Sequence, residues 1–495
     1  MDKKRREAYI NLIGQLLTSP NGEEAKILQT NQELGDEGLL EIMELYAQQL
    51  AGYDNQNAQN AANFLRHLRS QLAELLEILE VSPSTHYSST EYLNFLMEVL
   101  WATAESNGDS KVIYPLLQQN LDKLDDNFAD ILRNWATAKF SEVEADVAES
   151  IAIYIGNFSN CIQQFPLGNK ANNMEISIVG YEAVRKVLTY ESHRENWAAI
   201  QNNLGVAYRE RIIGDKAENI ESTIAAYQQA LLVRTPTDFP MDWASTQNNL
   251  GTAYWERIRG DKAQNIEAGI AAFQQALLVY TQTDFPMDWA ITQNNLGTAY
   301  SDRIRGDKAQ NIEAAIAAYQ QALLVRTQAD FPMEWAITQN NLGIAYSKRI
   351  RGDKAQNLEA AIAAYQQALL VRTQTDFPMD WAKTQNNLGN AYSNRIRGDK
   401  AQNIEAAIAA YQQALLVYTL EADPITHLTT TGNLGDLYFA NQNWQLAAEN
   451  YEKAITAVEL SRSWATTDDR RQEIIAEAIS VYQNLVQTYI NLEQW

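Results

Sequence analysis

The phrase NNLG recurs with its glycine at Gly205, Gly251, Gly297, Gly343 and Gly389, each step being 46 residues. A weaker copy, GNLG, puts Gly435 one period further on, and GDKA recurs from Gly214, Gly260, Gly306, Gly352 and Gly398. Gly168 opens GNKANN in the same register, so the array begins before its first obvious copy. Segments 251–296 and 297–342 differ at 7 of 46 positions. Units this alike share one structure, and because a unit so short cannot bury its apolar surface alone, they must stack on one another.

The spacing within a unit predicts two helices. In DFPMDW, Pro286 suits the first helical turn, where its missing N–H costs nothing, and Asp288 complements the positive end of the helix dipole. The first helix is expected to run through WAITQNNLGTAYSDRIR and to end at Gly306 in a left-handed conformation. Asn311 is expected to cap the second helix, along which Ile312, Ile316, Tyr319 and Leu323 form one apolar stripe. The alanines on that face allow a closely packed antiparallel hairpin.

Composition agrees with an all-α chain: 10 Pro and 22 Gly in 495 residues leave room for long helices. The net charge of −23 disfavours nucleic acid and anionic lipid. No apolar window is long enough to span a membrane, and the polar residues Glu7, Asn11 and Gln15 break any signal core, so a cytoplasmic location is expected. One cysteine, Cys161, and four scattered histidines supply neither a disulfide framework nor zinc spacing, and no cofactor is implied. With nothing basic nearby, Cys161 reads as a small buried residue. No phosphate loop, metalloprotease helix or nucleophile elbow occurs, which argues against an enzyme. The RGD at Arg259, Gly260 and Asp261 reads as a helix end and turn, and the carboxylate pair Asp284 and Asp288 as a helix start.

In the units, Leu296, Gly297 and Tyr300 followed by Ala315, Tyr319 and Ala322 resemble the signature of the tetratricopeptide repeat, Leu-Gly-x-x-Tyr then Ala-x-x-x-Phe/Tyr-x-x-Ala. Leu296 and Tyr319 are 23 residues apart, whereas Leu434 and Tyr451 in the last hairpin are 17 apart. The shorter spacing is that of the roughly 34-residue consensus, so the 46-residue units are elongated versions. This resemblance implies an α-solenoid of helical hairpins behind a helical N-terminal domain. The divisions expected are an acidic helical domain at 1–167, elongated repeats at 168–420, and a hairpin of standard length plus an incomplete repeat at 421–495. Asn484, Leu485 and Tyr489 open that last repeat, and its uncovered face implies self-association or a missing partner helix.

The wording TQNNLGxAYxxRIRGDKAQNIExAIAAYQQAL, behind an acidic helical region, also resembles the sensor arms of bacterial proteins that end in a caspase-like CHAT peptidase domain. No such domain is present here, since Cys161 lies upstream of the repeats. The alternative this implies is a regulatory or sensor subunit, or a fragment, whose effector is supplied elsewhere.

The family resemblance implies a scaffold binding a protein or peptide in the groove lined by the first helices. The asparagine before each Leu-Gly would face that groove: Asn203, Asn249, Asn295, Asn341, Asn387 and Asn433. It is similar to the asparagine ladders of the O-linked N-acetylglucosamine transferase superhelix and of kinesin light chains, whose amides hold the main chain of an extended peptide. The competing reading has these amides bonding neighbouring helices or water. Near-identical units differ at offsets the family turns toward the groove, including Arg209, Trp255, Lys348, Lys383 and Asn390, while GDKA and AAYQQALLV hardly vary. Constant scaffold with changing groove chemistry is what a modular binding surface requires, with Trp255 and Arg209 as expected anchors. Residues 1–167 carry a net charge of −14 and are helical in pattern, and they are expected to cap the solenoid.

Overall fold

The computed structural model describes residues 87–464 and 468–493 without a break, and scattered positions within 1–86. The chain divides into two compact units, Met1–His86 and Tyr87–Trp495. In the first, Tyr9, Leu12, Ile13 and Leu16 are buried with Leu39, Ile42, Met43 and Leu65. Their three- and four-residue spacing puts the opening amphipathic helix with its apolar face inward. The stretches near 19–22, 52–57 and most of 81–89, where turn-forming residues cluster, lie outside the described residues.

The second unit is helical throughout its described length. It opens with α1 (Ser89–Ser106), α2 (Ser110–Gln118) and α3 (Asp126–Glu142), and the turn formers clustered at 106–110 make the bend between the first two, Asn107 and Gly108 standing at φ 53° and 81°. Next come α4 (Ala145–Gln164), α5 (Lys170–Val184), α6 (Arg194–Glu210), α7 (Lys216–Ala230), α8 (Pro240–Glu256) and α9 (Lys262–Ala276). They are followed by α10 (Pro286–Asp302), α11 (Lys308–Ala322), α12 (Pro332–Ser347), α13 (Lys354–Ala368), α14 (Pro378–Ser393) and α15 (Lys400–Leu415). The series closes with α16 (Pro424–Ala440), α17 (Trp444–Trp464) and α18 (Asp468–Glu493). From α4 onward, helices pair as hairpins and each hairpin packs on the next, which is an α-solenoid.

The array starts earlier than its phrases show. Arg211 forks onto Glu175 of α5 just as Arg257 forks onto Glu221 of α7, so α4 and α5 form a hairpin equivalent to the later ones. Position 167/168 is therefore no break in packing. One hydrophobic cluster joins Phe95, Leu96 and Phe128 to Phe158, Tyr181 and Leu204, and through it α1–α3 cover the first hairpin. Cys161 lies in this cluster, its Sγ 3.3 Å from the Gly108 carbonyl, and burial pushes its thiol up to about 11.

The signature residues have a direct steric cause. A Cβ added at Gly205, Gly251, Gly297, Gly343, Gly389 or Gly435 would lie 2.4–2.8 Å from a ring carbon of the aromatic residue on the second helix. Glycine there lets Tyr227, Phe273, Tyr319, Tyr365, Tyr411 and Tyr451 pack directly against the backbone of the first helix. The same rings pack onward: Ile220, Ile224 and Tyr227 meet Leu250 and Ala253 of the next hairpin. These hairpins are tetratricopeptide-type repeats.

The link between helices differs from the sequence expectation. The first helix stops at Asp302, so RIRG is loop, and Gly306 at φ 81° sits just before the second helix and not at the end of the first. The cap is Asp307, whose carboxylate accepts from the Gln310 N–H at 2.7 Å. Asn311 lies one turn inside the helix, and its amide donates to the Arg305 carbonyl at 2.8 Å, closing the loop. Asp307 wins because a cap must precede the first helical residue and hold extended backbone, which it does at φ −77° and ψ 119°.

Candidate groove of the repeat array

A cleft of about 460 Å³ runs across the first helices of four successive hairpins, α8, α10, α12 and α14. Its walls carry many of the positions at which near-identical units differ: Thr252 and Trp255, Thr298, Ser301 and Asp302, Ile337, Ile344 and Lys348, then Lys383. Spacing of 46 residues becomes adjacency because each first helix stacks beside the last. Lys348 and Lys383 are exposed and enter no ion pair among the described residues, although the chain is strongly acidic. Trp255 is half-buried, and its indole N–H donates to Asp302 at 3.1 Å.

Around Trp255 the array departs from its own pattern in three touching places. Besides the indole itself, Gly269 replaces the alanine of the later units, and Phe273 replaces tyrosine. A Cβ at Gly269 would lie 2.8 Å from the Gly251 carbonyl and 3.4 Å from the Trp255 nitrogen. In the later hairpins the tyrosine hydroxyl is tied down, as Tyr319 with Thr298 and Tyr411 with Asn390, whereas that of Tyr227 is buried without a partner. Phe273 lines the cleft without a hydroxyl, so the floor beside Trp255 is apolar.

The asparagine ladder is partly spent on the scaffold. Asn203, Asn295, Asn341, Asn387 and Asn433 donate to Asn160, Asn248, Asn294, Asn340 and Asn390 on the preceding first helix, at 2.7–3.3 Å. The neighbouring-helix reading of these amides thus holds for one N–H of each. An amide has two N–H donors and a carbonyl acceptor, and the half-buried Asn295 and Asn341 also line the cleft. Asn249 makes no such bond; the Asn202 carbonyl accepts from Thr246 and its amide donates to Asn203. Asn203 lines a separate hollow with Asn160 and Tyr181, while Asn390 and Asn433 line a third with Asp436. Arg209 is half-buried beside Glu210 and lines none of these clefts, so the structure does not bring it to Trp255.

Several residues here escape a reading of single offsets. In the central repeats the first asparagine of the pair, Asn248, Asn294 or Asn340, is the acceptor that receives the ladder. The buried threonine four before the leucine, such as Thr338, accepts from the buried Arg326 and donates to Asn294. Arg372 does the same with Thr384 and pairs with Asp380 at 3.1 Å, both on the cleft wall. Burial draws these arginines below their ordinary value, Arg326 to about 10.

The unvarying outer phrases are explained by bonds. Arg257, Arg303, Arg349 and Arg395 each fork onto a glutamate of the preceding second helix at 2.7–2.8 Å, holding Glu221, Glu267, Glu313 and Glu359 below the usual carboxylate range. Arg259, the arginine of the RGD, pairs with Asp215 and Glu218, and Asp261 caps α9. Gln274 and its equivalents donate to the tyrosine of the next hairpin. Asp284 accepts from the Thr281 hydroxyl in the turn before α10, and Asp288 lies in the first turn.

The class defined by this fold is a tetratricopeptide-type solenoid. Residues 326–463 match the family model described as soluble NSF attachment protein. In structure the chain is similar to a Signal Transduction ATPase with Numerous Domains (STAND) protein with a tetratricopeptide repeat sensor from Pyrococcus horikoshii. That likeness has 13% identity and a TM-score of 0.44, covering 95% of this chain and 74% of that one. It is also similar to the P58(IPK) TPR domain at 12% identity and a TM-score of 0.23, covering 79% of this chain and 98% of that one. No curated protein matches the chain in sequence. Among the described residues no helix is long and apolar enough to cross a membrane.

Proposed function

We propose that the protein is a non-enzymatic interaction scaffold whose groove holds an extended segment of a partner protein. The observation that carries this reading is convergence: many of the positions at which near-identical units differ, among them Trp255, Ser301, Asp302, Lys348 and Lys383, share one cleft, though they come from four hairpins. An apolar floor at Trp255 and Phe273, backbone-reading amides at Asn295 and Asn341, and the free cations Lys348 and Lys383 suit a peptide with an apolar anchor and acidic neighbours.

A second reading is favoured by the wording of the units: groove occupancy would control a caspase-like effector on another chain. It predicts that a protease co-purifies with the array and changes activity when the groove is filled.

The groove reading is tested by affinity capture with the full chain. Because the ladder amides also staple repeats together, the variants of choice are Trp255→Ala and the pair Lys348→Glu with Lys383→Glu, all off the scaffold bonds except the single Trp255–Asp302 contact. A partner lost by both variants and kept by an outer-edge control, Ile304→Asp, supports the groove. Equal capture by all would refute it.

A further inference from the structure

Two apolar stripes lie side by side on α18. Ile474, Ala478 and Val481 are buried against α16 and α17, with Leu485 packed on the same cluster and Thr488 continuing the four- and three-residue spacing. One residue further round, Ile475, Ile479, Val486 and Ile490 are 36%, 49%, 60% and 42% exposed. One stripe suffices to hold a helix on its neighbours. The second is left for something else.

The register of α18 says what does not cover it. Asn484, Leu485 and Tyr489 occupy the places of Asn295, Leu296 and Tyr300, so Val486 stands where the hairpins have glycine and Ile479 where α10 has Ala290. In each hairpin those small residues face the second helix, and even a Cβ at the glycine would lie within 2.8 Å of its aromatic ring. A valine there bars a second helix of the kind this array uses. Branched side chains at four- and three-residue spacing instead suit a helix lying further off, with side chains interdigitating.

The stripe is also symmetric along its length. Ile475 and Ile490, and equally Ile479 and Val486, are equidistant from a point between Tyr482 and Gln483. Two antiparallel copies would oppose Ile475 with Ile490 and Ile479 with Val486, each pair made twice, as an isologous contact demands.

We propose that α18 is a self-association surface through which two copies of the protein pair antiparallel, about a twofold axis beside Tyr482. The surface is separate from the groove and stands whether or not the groove binds a peptide. The test is sedimentation of the full chain over a range of concentrations, with Ile479→Lys, Val486→Glu, the double variant and a mixture of the two single variants. Expected is a wild-type dimer, weakening by at least about tenfold in each single variant, and recovery in both the double variant and the mixture, where lysine meets glutamate across the axis. All these positions are exposed, so folding should be retained, as circular dichroism would show. A wild-type monomer at every concentration, or a dimer indifferent to both single variants, overturns the proposal. Weakening without recovery in mixture and double variant overturns the antiparallel pairing.

Discussion

Gly205→Ala sets two physical effects against each other. Alanine in a helix interior is favoured over glycine by about 1 kcal/mol, so local propensity alone predicts a gain. The structure predicts a loss. The new Cβ would sit 2.4, 2.6 and 2.9 Å from three ring carbons of Tyr227, a side chain with no exposure and therefore no room to swing away. Overpacking of a rigid core costs about 1–3 kcal/mol, and a clash this close with a fixed ring belongs at the upper end. The net is a loss of about 2 kcal/mol, or some thirtyfold in local opening. Because a repeat array does not unfold in one step, the assay is amide hydrogen exchange of the full chain, read on peptides from α6 and α7. Gly156→Ala is the internal control, since its Cβ would meet nothing nearer than 4.0 Å and should slow exchange in α4. Unchanged or slower exchange in α6 and α7 of Gly205→Ala would refute the steric account of the signature glycine.

Other predictions concern charge. Glu221, Glu267, Glu313 and Glu359 are held low by their arginine forks, so their contribution is fully present above the ordinary value of 4.5 and is lost as pH falls through the lowered folded values. Thermal midpoints measured from pH 6 to 3 should fall steeply, and Glu313→Gln should reduce that slope while lowering the midpoint at pH 6. Arg326 is buried with its Nε unpaired and Glu334 nearby but not in an ion pair, whereas Arg372 reaches Asp380 at 3.1 Å. Glu334→Asp should restore that pairing and raise stability by about 1 kcal/mol, seen as slower exchange in α12; faster exchange would count against it. Cys161 should react with iodoacetamide far more slowly than a free thiol at pH 8, becoming labile only in denaturant, as mass spectrometry would show.

The hairpins, their order and the helix-starting prolines were legible because they follow from local periodicity and one backbone rule. What sequence spacing hid is long-range. Arg257 and Glu221 are 36 residues apart, and only stacking of hairpins reveals that they form a fork. The cap at Asp307 was obscured because the same residue completes an RGD that reads as turn, while Asn311 stands nearer the apolar run it was expected to open. The ladder was visible as a column of asparagines, yet in the central repeats its bonding depends on the first asparagine of the pair, which the repeat phrase contains without marking as an acceptor. Arg209 matched the groove offset but lies in a hairpin before the cleft, where sequence offset and spatial neighbourhood part company.

Invariance of the outer phrases is weaker support for a selected groove than it first looked, because those residues are fixed by caps, forks and loop closures whatever the groove does. The comparison that retains force is between positions equally free of scaffold bonds. Lys348 and Lys383 are such positions, and they face the cleft. The changes at Trp255, Gly269 and Phe273 say more. Drift alters sites one at a time, whereas here a large indole, a lost methyl and a lost hydroxyl occur in one hairpin and touch one another. Reverting Gly269 to alanine should therefore disturb Trp255 by pressing α9 from α8, and reverting Phe273 to tyrosine should place a hydroxyl in the apolar floor. If the cleft is built for an apolar anchor, Phe273→Tyr weakens partner binding by about tenfold while leaving stability within about 0.5 kcal/mol. Binding unaffected by both reversions would mean that the three changes compensate for packing alone.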